Sequence, residues 1–319
     1  MSQALVLVTN RFDENLKLLL PQKKEADFRY VKNINEDEEL LAKAQALIIR
    51  SSTKVDKDFI NKAQSLRFLI TATSGFDHID LKGAQAKGIR VFHIPETQTE
   101  AAAELTIAMI LNCARKWSLA QKQLNHGRWE RSLLLGRQVS GMSLGIIGVG
   151  RVGSAVALKA QALGMKVYGY DPYLENNPES LAMLGFEELM RTCDVITLHV
   201  PKTKTSFQMV KKETLGWMNT EAILINMSRG DVINEQDLIE HLLEHPGFTA
   251  GLDVFAKEPL SLHSRLLELQ NVCLTPHIGA STQQALKASS ETALNKIIEL
   301  LQGGQPEGEL PPKALWWES

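Results

Sequence analysis

The stretch LGIIGVGRVGSAVALKAQALGMKVYGYD, residues 144 to 171, decides the fold. Leu144-Gly145-Ile146-Ile147 is an apolar run short enough to be a buried strand. The glycine turn Gly148-Val149-Gly150-Arg151-Val152-Gly153 follows. Val152, Ala155, Val156, Leu158 and Ala162 then recur at helical spacing, Gly164 ends the helix, and Lys166 to Tyr170 reads as a second strand. Each part has a job if a dinucleotide sits here. Gly148 permits the turn, Gly150 leaves room for a pyrophosphate, and Gly153 lets the helix lie close on the strand. The helix start offers free N–H groups and partial positive charge to phosphates. Asp171, eighteen residues past Gly153, stands where an acid binds the adenosine ribose hydroxyls. Its carboxylate would repel the extra phosphate of NADP, so NAD is the expected cofactor.

Around this unit the chain continues to alternate strands and helices. Upstream, Ala4–Val8, Phe28–Val31, Ala46–Ile49, Phe68–Ile70 and Ile89–Phe92 are strand candidates separated by helix-forming segments. Downstream, Val195–Val200, Ala222–Asn226, Thr249–Val254 and Val272–Leu274 repeat the pattern. Such alternation predicts two doubly wound α/β domains with parallel sheets: a Rossmann NAD-binding domain inserted into a flavodoxin-like substrate domain. The expected boundaries are 1–97 plus 283–319 for the substrate domain and 98–282 for the NAD domain. A cleft between them would close over substrate. Thr97 with Glu100, and Ser281 with Gln284, match the helix capping box. The run Ala101 to Leu111 is apolar nearly all round and predicts a buried helix. With the arm around Trp129 it is expected to form a two-fold homodimer interface. The segment from Gly303, rich in Gly, Pro and Glu, reads as a poorly ordered extension. Its Trp316 and Trp317 receive no role.

Composition narrows the classes. The chain has 319 residues, enough for about two domains. A formal charge of −2 gives no reason to expect nucleic acid or an anionic membrane as partner. Three scattered cysteines form neither a disulfide framework nor a metal-ligand spacing, which fits the cytoplasm, and no metal is expected. The N-terminus lacks the features of a signal peptide.

Arg229, Asp253, Glu258 and His277 all follow strands on one edge of the predicted sheet, the edge that carries the glycine turn. Moving a hydride to or from a carbonyl carbon needs a proton donor or acceptor at the oxygen, and His277 suits that near neutral pH. A 2-keto or 2-hydroxy acid also needs a cation for its carboxylate, and the planar fork of Arg229 can bind it twice. Glu258 can orient the imidazole and raise its pKa.

With these motifs in view, the chain resembles the D-isomer-specific 2-hydroxyacid dehydrogenases. The likeness rests on GVGRVG with Asp171, CDVITLHVPKT from Cys193, ILINMSRGDVINEQDL from Ile223, AGLDVFAKEP from Ala250 and LTPHIGAST from Leu274. It implies Arg229, Glu258 and His277 as the catalytic trio and Asp253 as a contact of the nicotinamide carboxamide. It implies that Arg151, Val152, His199 and Thr205 line the cofactor site, and that Thr106 approaches it. Ser74 and Gly75 would give backbone N–H groups to the substrate carboxylate. RSSTKV from Arg50 and GRWER from Gly127 are similar to the branch that oxidises 3-phosphoglycerate, which opens serine biosynthesis, and make Arg50 a candidate for the carboxylate or phosphate. Regulation through a C-terminal serine-binding domain is not expected, because the sequence stops short of one. Thr97-Gln98-Thr99 replaces the usual Gly-Asn-Ser, Thr71 stands where that branch often has Arg, and His78 replaces Asn. These departures keep open reduction of hydroxypyruvate, glyoxylate or another 2-keto acid. A rival of another class is an NAD-sensing, co-repressor-like interaction protein.

Overall fold

The computed structural model describes residues 3–9, 11–174, 176, 178, 181–314 and 317; Trp316 lies outside the described residues. The chain divides into two compact units, Met1–Gln98 with Ala280–Glu318, and Thr99–Gly279.

The first unit carries strands β1 (Leu5–Thr9), β2 (Asp27–Val31), β3 (Ala46–Ile49), β4 (Phe68–Thr71) and β5 (Arg90–His93). They are parallel, in the order β5-β4-β3-β1-β2, the flavodoxin-like arrangement. β3 and β4 are buried at every residue. That is why their apolar runs do not alternate: a parallel sheet is covered on both faces. One face packs Leu7, Leu47 and Leu69 against short helices; the other packs Val8, Ile48 and Ile70 against Ala293, Leu294 and Ile297 of the helix Gln283–Leu301.

The second unit carries β6 (Ser143–Ile147), β7 (Lys166–Tyr170), β8 (Ala182–Met183), β9 (Val195–Leu198), β10 (Ile223–Asn226), β11 (Thr249–Leu252) and β12 (Val272–Leu274). Every pairing is parallel, in the order β12-β11-β10-β9-β6-β7-β8. Strand order reverses between β6 and β9, the switch point beyond whose carboxyl ends ligands bind in such sheets. The helix Thr99–Arg115 buries Ala103, Met109, Ile110 and Cys113 on this sheet.

Several local expectations are corrected. The segment after the last helix is not loose: Glu309–Leu310 forms β13, an antiparallel edge strand on β5. Arg90 donates to both carboxylate oxygens of Glu309 at 2.7 Å, and Leu310 is buried in the core. Its Gly, Pro and Glu content conceals one buried leucine and one well-placed charge. The box at Thr97 does not form, since the Thr97 hydroxyl is buried with no hydrogen-bond partner and Glu100 pairs with Lys159. The last helix is capped one residue later than expected, by Thr282, whose hydroxyl accepts from the Ala285 N–H. Ser281 instead accepts from Arg11. The second crossing between units falls after Gly279, because Ile278 and Gly279 are hydrogen-bonded to Asp253. Among the described residues, no helix is long and apolar enough to cross a membrane.

Candidate active site

The glycine turn connects β6 to the helix Arg151–Ala162. Gly148 has φ +92°, and a Cβ there would lie 2.8 Å from the carbonyl carbon of His199. At Gly153 a Cβ would meet the Gly148 carbonyl oxygen at 2.1 Å. Gly150 caps the helix, and nothing lies within 4 Å of where its Cβ would be. Two glycines are thus demanded by the protein's own packing. The third keeps clear the approach to the helix N-terminus, where a pyrophosphate is held by N–H groups and the helix dipole. Asp171, at the end of β7, accepts from the Val149 N–H at 3.0 Å with one oxygen and from the Tyr173 N–H at 3.0 Å with the other. Those bonds fix the carboxylate beside the turn and leave it lone pairs for ribose hydroxyls. The residues fit an NAD molecule. Asp171→Ala is expected to raise the affinity for NADP relative to NAD, measured by fluorescence titration with both reduced cofactors; an unchanged ratio would remove Asp171 from that role.

The other cofactor-side residues are more varied. Arg151 opens the helix and is exposed, while the half-buried Val152 packs on the core beneath. His199 follows β9; burial lowers its pKa, so the ring is neutral at pH 7, and its Nε2 meets the Thr197 hydroxyl at 3.0 Å. The Thr205 hydroxyl lies 3.0 Å from the Tyr173 hydroxyl. Thr106 is fully buried and donates back to the Ala102 carbonyl at 2.8 Å.

Three loops at the carboxyl ends of β10, β11 and β12 bring Arg229, Glu258 and His277 together. After β10, Asn226 ties the turn: its side chain donates to the Arg229 carbonyl and accepts from the Ser228 N–H and hydroxyl. The Arg229 guanidinium donates to the Ser228 carbonyl. After β11, the Phe255 N–H donates to Glu258 Oε1 at 3.1 Å. After β12, His277 sits at φ +52°, a left-handed conformation that costs a non-glycine residue roughly 1–2 kcal/mol. Asp253 holds it there. Its carboxylate, 1% exposed, accepts from the Thr275 hydroxyl and from the Ile278 and Gly279 N–H groups, all within 2.8 Å. The loop is therefore pinned on both sides of the histidine, and strain is concentrated where the ring must point.

His277 Nδ1–H donates to Glu258 Oε2 at 2.7 Å. That bond is the largest influence on the imidazole and raises its pKa against the opposing effect of burial. Burial alone would raise the Glu258 carboxyl. The His277 hydrogen bond and charge, the Phe255 N–H and the Arg229 charge outweigh it and hold Glu258 ionised. With Nδ1 engaged, Nε2 is left as the nitrogen that exchanges a proton with a reactant.

In the first unit, Arg50 follows β3 and donates to the Ser289 hydroxyl at 3.0 Å. Burial, with Arg11 as a like-charged neighbour, lowers its pKa to about 10, so it stays cationic. After β4, the Thr71 hydroxyl meets that of Thr73 at 2.5 Å and the His78 ring at 3.1 Å. The Ser74 N–H donates to Gln98 Oε1 at 3.3 Å, and Gly75 is half-buried. The sequence reading gave no role to Thr275 or Gln98, although both lie in stretches it singled out, nor to Arg11. They serve the site by holding its loops or adding charge, which only their spatial neighbours reveal.

This arrangement, a pyrophosphate turn in the same unit as an Arg–Glu–His trio, is that of a nicotinamide-dependent dehydrogenase. The family model of the D-isomer specific 2-hydroxyacid dehydrogenase NAD-binding domain matches residues 107–279. The chain belongs to this family of NAD-dependent oxidoreductases. A hydroxypyruvate reductase of Thermotoga maritima is 34% identical over 305 residues, covering 94% of this chain and 99% of the relative. A D-3-phosphoglycerate dehydrogenase of Methanocaldococcus jannaschii is 37% identical over 93% of this chain, but the chain spans only 57% of that protein. The TT0316 protein of Thermus thermophilus has the same fold, with a TM-score of 0.88 at 32% identity over 96% of this chain and 99% of its own.

Proposed function

We propose that this protein oxidises D-3-phosphoglycerate at C2 to 3-phosphohydroxypyruvate with NAD. The observation that carries the reading is that Arg50 and Arg11, in the first unit, are like-charged neighbours. They donate to Ser289 and Ser281 near the start of the same helix, two guanidiniums that would hold a second anionic group of the substrate. The likeness to phosphoglycerate dehydrogenases supports it. The glycine turn and Asp171 would hold NAD, which would supply the hydride acceptor for C2. Arg229 orients the substrate carboxylate and steadies the oxygen as the carbonyl forms. His277 Nε2 takes the hydroxyl proton, and Glu258 stabilises the resulting imidazolium through Nδ1. Ser74 and Gly75 offer backbone N–H groups to the carboxylate.

A second reading, reduction of hydroxypyruvate, draws on the end-to-end relative and on the uncharged Thr71. The test is NADH oxidation with phosphohydroxypyruvate, hydroxypyruvate, glyoxylate and pyruvate. The proposal requires the highest kcat/KM on phosphohydroxypyruvate. A preference for hydroxypyruvate selects the second reading, and tight NADH binding without turnover on any acid favours a sensor.

A homodimer is part of the same reading. The stretch after the helix Thr99–Arg115 exposes Trp117, Trp129 (78%), Leu133 and Leu135 (82%), a set of large apolar side chains that a lone chain would not leave in water. Light scattering is expected to give twice the chain mass, and Trp129→Asp to halve it.

A further inference from the structure

We infer that the segment after the helix Gln283–Leu301 acts as a strap that holds the Ser74–Gly75 loop in its binding geometry, with Trp317 as a positioning residue for substrate. The inference rests on the proposal that this loop binds the substrate carboxylate.

The base of the loop is tied by local contacts, the Thr73 hydroxyl donating to the Gly75 carbonyl at 2.7 Å and the Ser74 N–H to Gln98 Oε1 at 3.3 Å. Ser74 itself is exposed, and Gly75 has no side chain with which to anchor the turn. A carboxylate bound by two N–H groups needs those groups fixed beforehand, or the ordering cost is taken from affinity. Further support comes from β13 and its flanking residues. Arg90 and Glu309 form a bidentate ion pair, the His93 N–H donates to the Gly308 carbonyl at 2.9 Å, and Leu310 is buried opposite Val91. Two paths then reach the loop. His93, at the end of β5, bonds through Nδ1 to the Ser74 carbonyl at 2.8 Å. Trp317 meets Phe76 with ring centroids 5.3 Å apart, and Phe76 also meets His93, edge-on at 5.4 Å and 89°. Phe76, next to Gly75 in the chain, thus touches both the strap and the strand.

Geometries of this kind are favourable beyond simple burial, which corresponds to about a threefold to tenfold effect on an equilibrium. Trp317→Ala is therefore expected to raise the KM for the best acid of the panel about threefold to tenfold. The kcat should stay within about twofold and NADH affinity should not change, because the glycine turn and trio belong to the other unit. Trp317→Phe should restore most of the loss. Amide hydrogen exchange at 73–77 should quicken in Trp317→Ala while β6 and β7 are unaffected. Unchanged KM in Trp317→Ala overturns the inference, whether or not exchange quickens. Should the wild-type chain turn over no acid of the panel, the functional proposal fails by itself. Exchange at 73–77 then decides the strap: quickening upholds it and unchanged rates overturn it.

Discussion

His277→Ala is expected to lower kcat about 10²- to 10⁴-fold, the usual contribution of a positioned acid–base group. NADH affinity should hardly change, since the alanine removes nothing from the glycine turn or Asp171. Stopped-flow turnover and NADH fluorescence titration separate the two. Near-wild-type turnover would remove His277 from the chemistry. The pH dependence comes from the raised imidazole pKa. Reduction of a keto acid consumes the imidazolium, so its rate is full at low pH and falls as pH rises through that pKa, above the ordinary value of about 6.5. Oxidation needs the neutral ring and rises over the same interval. Glu258→Gln keeps an acceptor for Nδ1–H but removes the negative charge that strengthens the bond and helps raise the pKa, so both midpoints should move to lower pH. Midpoints that stay in place would show that Glu258 does not tune the ring.

The second large effect is expected at Gly230, the residue after Arg229. A Cβ there would lie 1.9 Å from the carbonyl carbon of Phe255 and 2.4 Å from the Ala256 nitrogen. These are backbone atoms of the loop that leads to Glu258, and they cannot swing aside as a flexible side chain would. Gly230→Ala must force the β10 and β11 loops apart. Overpacking of this kind costs about 3 kcal/mol or more where relaxation is blocked, which lowers the melting temperature by roughly 6–12 °C for a unit of this size. Because the same movement displaces Arg229 from Glu258 and His277, kcat/KM should fall about 100-fold even where the protein folds. A variant with wild-type melting and turnover would mean that the close contact is not kept in solution. Alanine in place of Gly150, where the Cβ meets nothing of the protein, should leave the fold intact, so the comparison distinguishes glycines required by packing from one kept clear for a ligand.

The parallel sheets were legible because their apolar runs are buried on both faces and separated by helix-forming segments, so composition and period point the same way. The glycine turn was legible because each glycine answers to a separate constraint within thirty residues of chain. The trio was readable as three loop residues after three strands, Arg229, Glu258 and His277, whose side chains suit proton transfer and carboxylate binding. Their order along the sheet edge followed from the topology, but the 2.7 Å bond between His277 and Glu258 did not. Nor did the left-handed backbone of His277, or the use of Asp253 to pin it through Thr275, Ile278 and Gly279.

The segment after Gly303 marks the boundary most clearly. Local composition says loop, and it is right about propensity. A single buried Leu310 and the Arg90–Glu309 pair, some 219 positions apart in the chain, outweigh that propensity. What the sequence alone determined is what depends on neighbours in the chain: strand and helix periods, the phosphate turn, the acid beyond it, and the class of chemistry. The tertiary structure decided what depends on residues remote in the chain: through which atoms and at what distance Glu258 meets His277, which backbone Gly230 touches, and that Trp317 rests on Phe76. Hydrogen bonds and close packing act over a few ångströms of space, and no spacing along a chain records them.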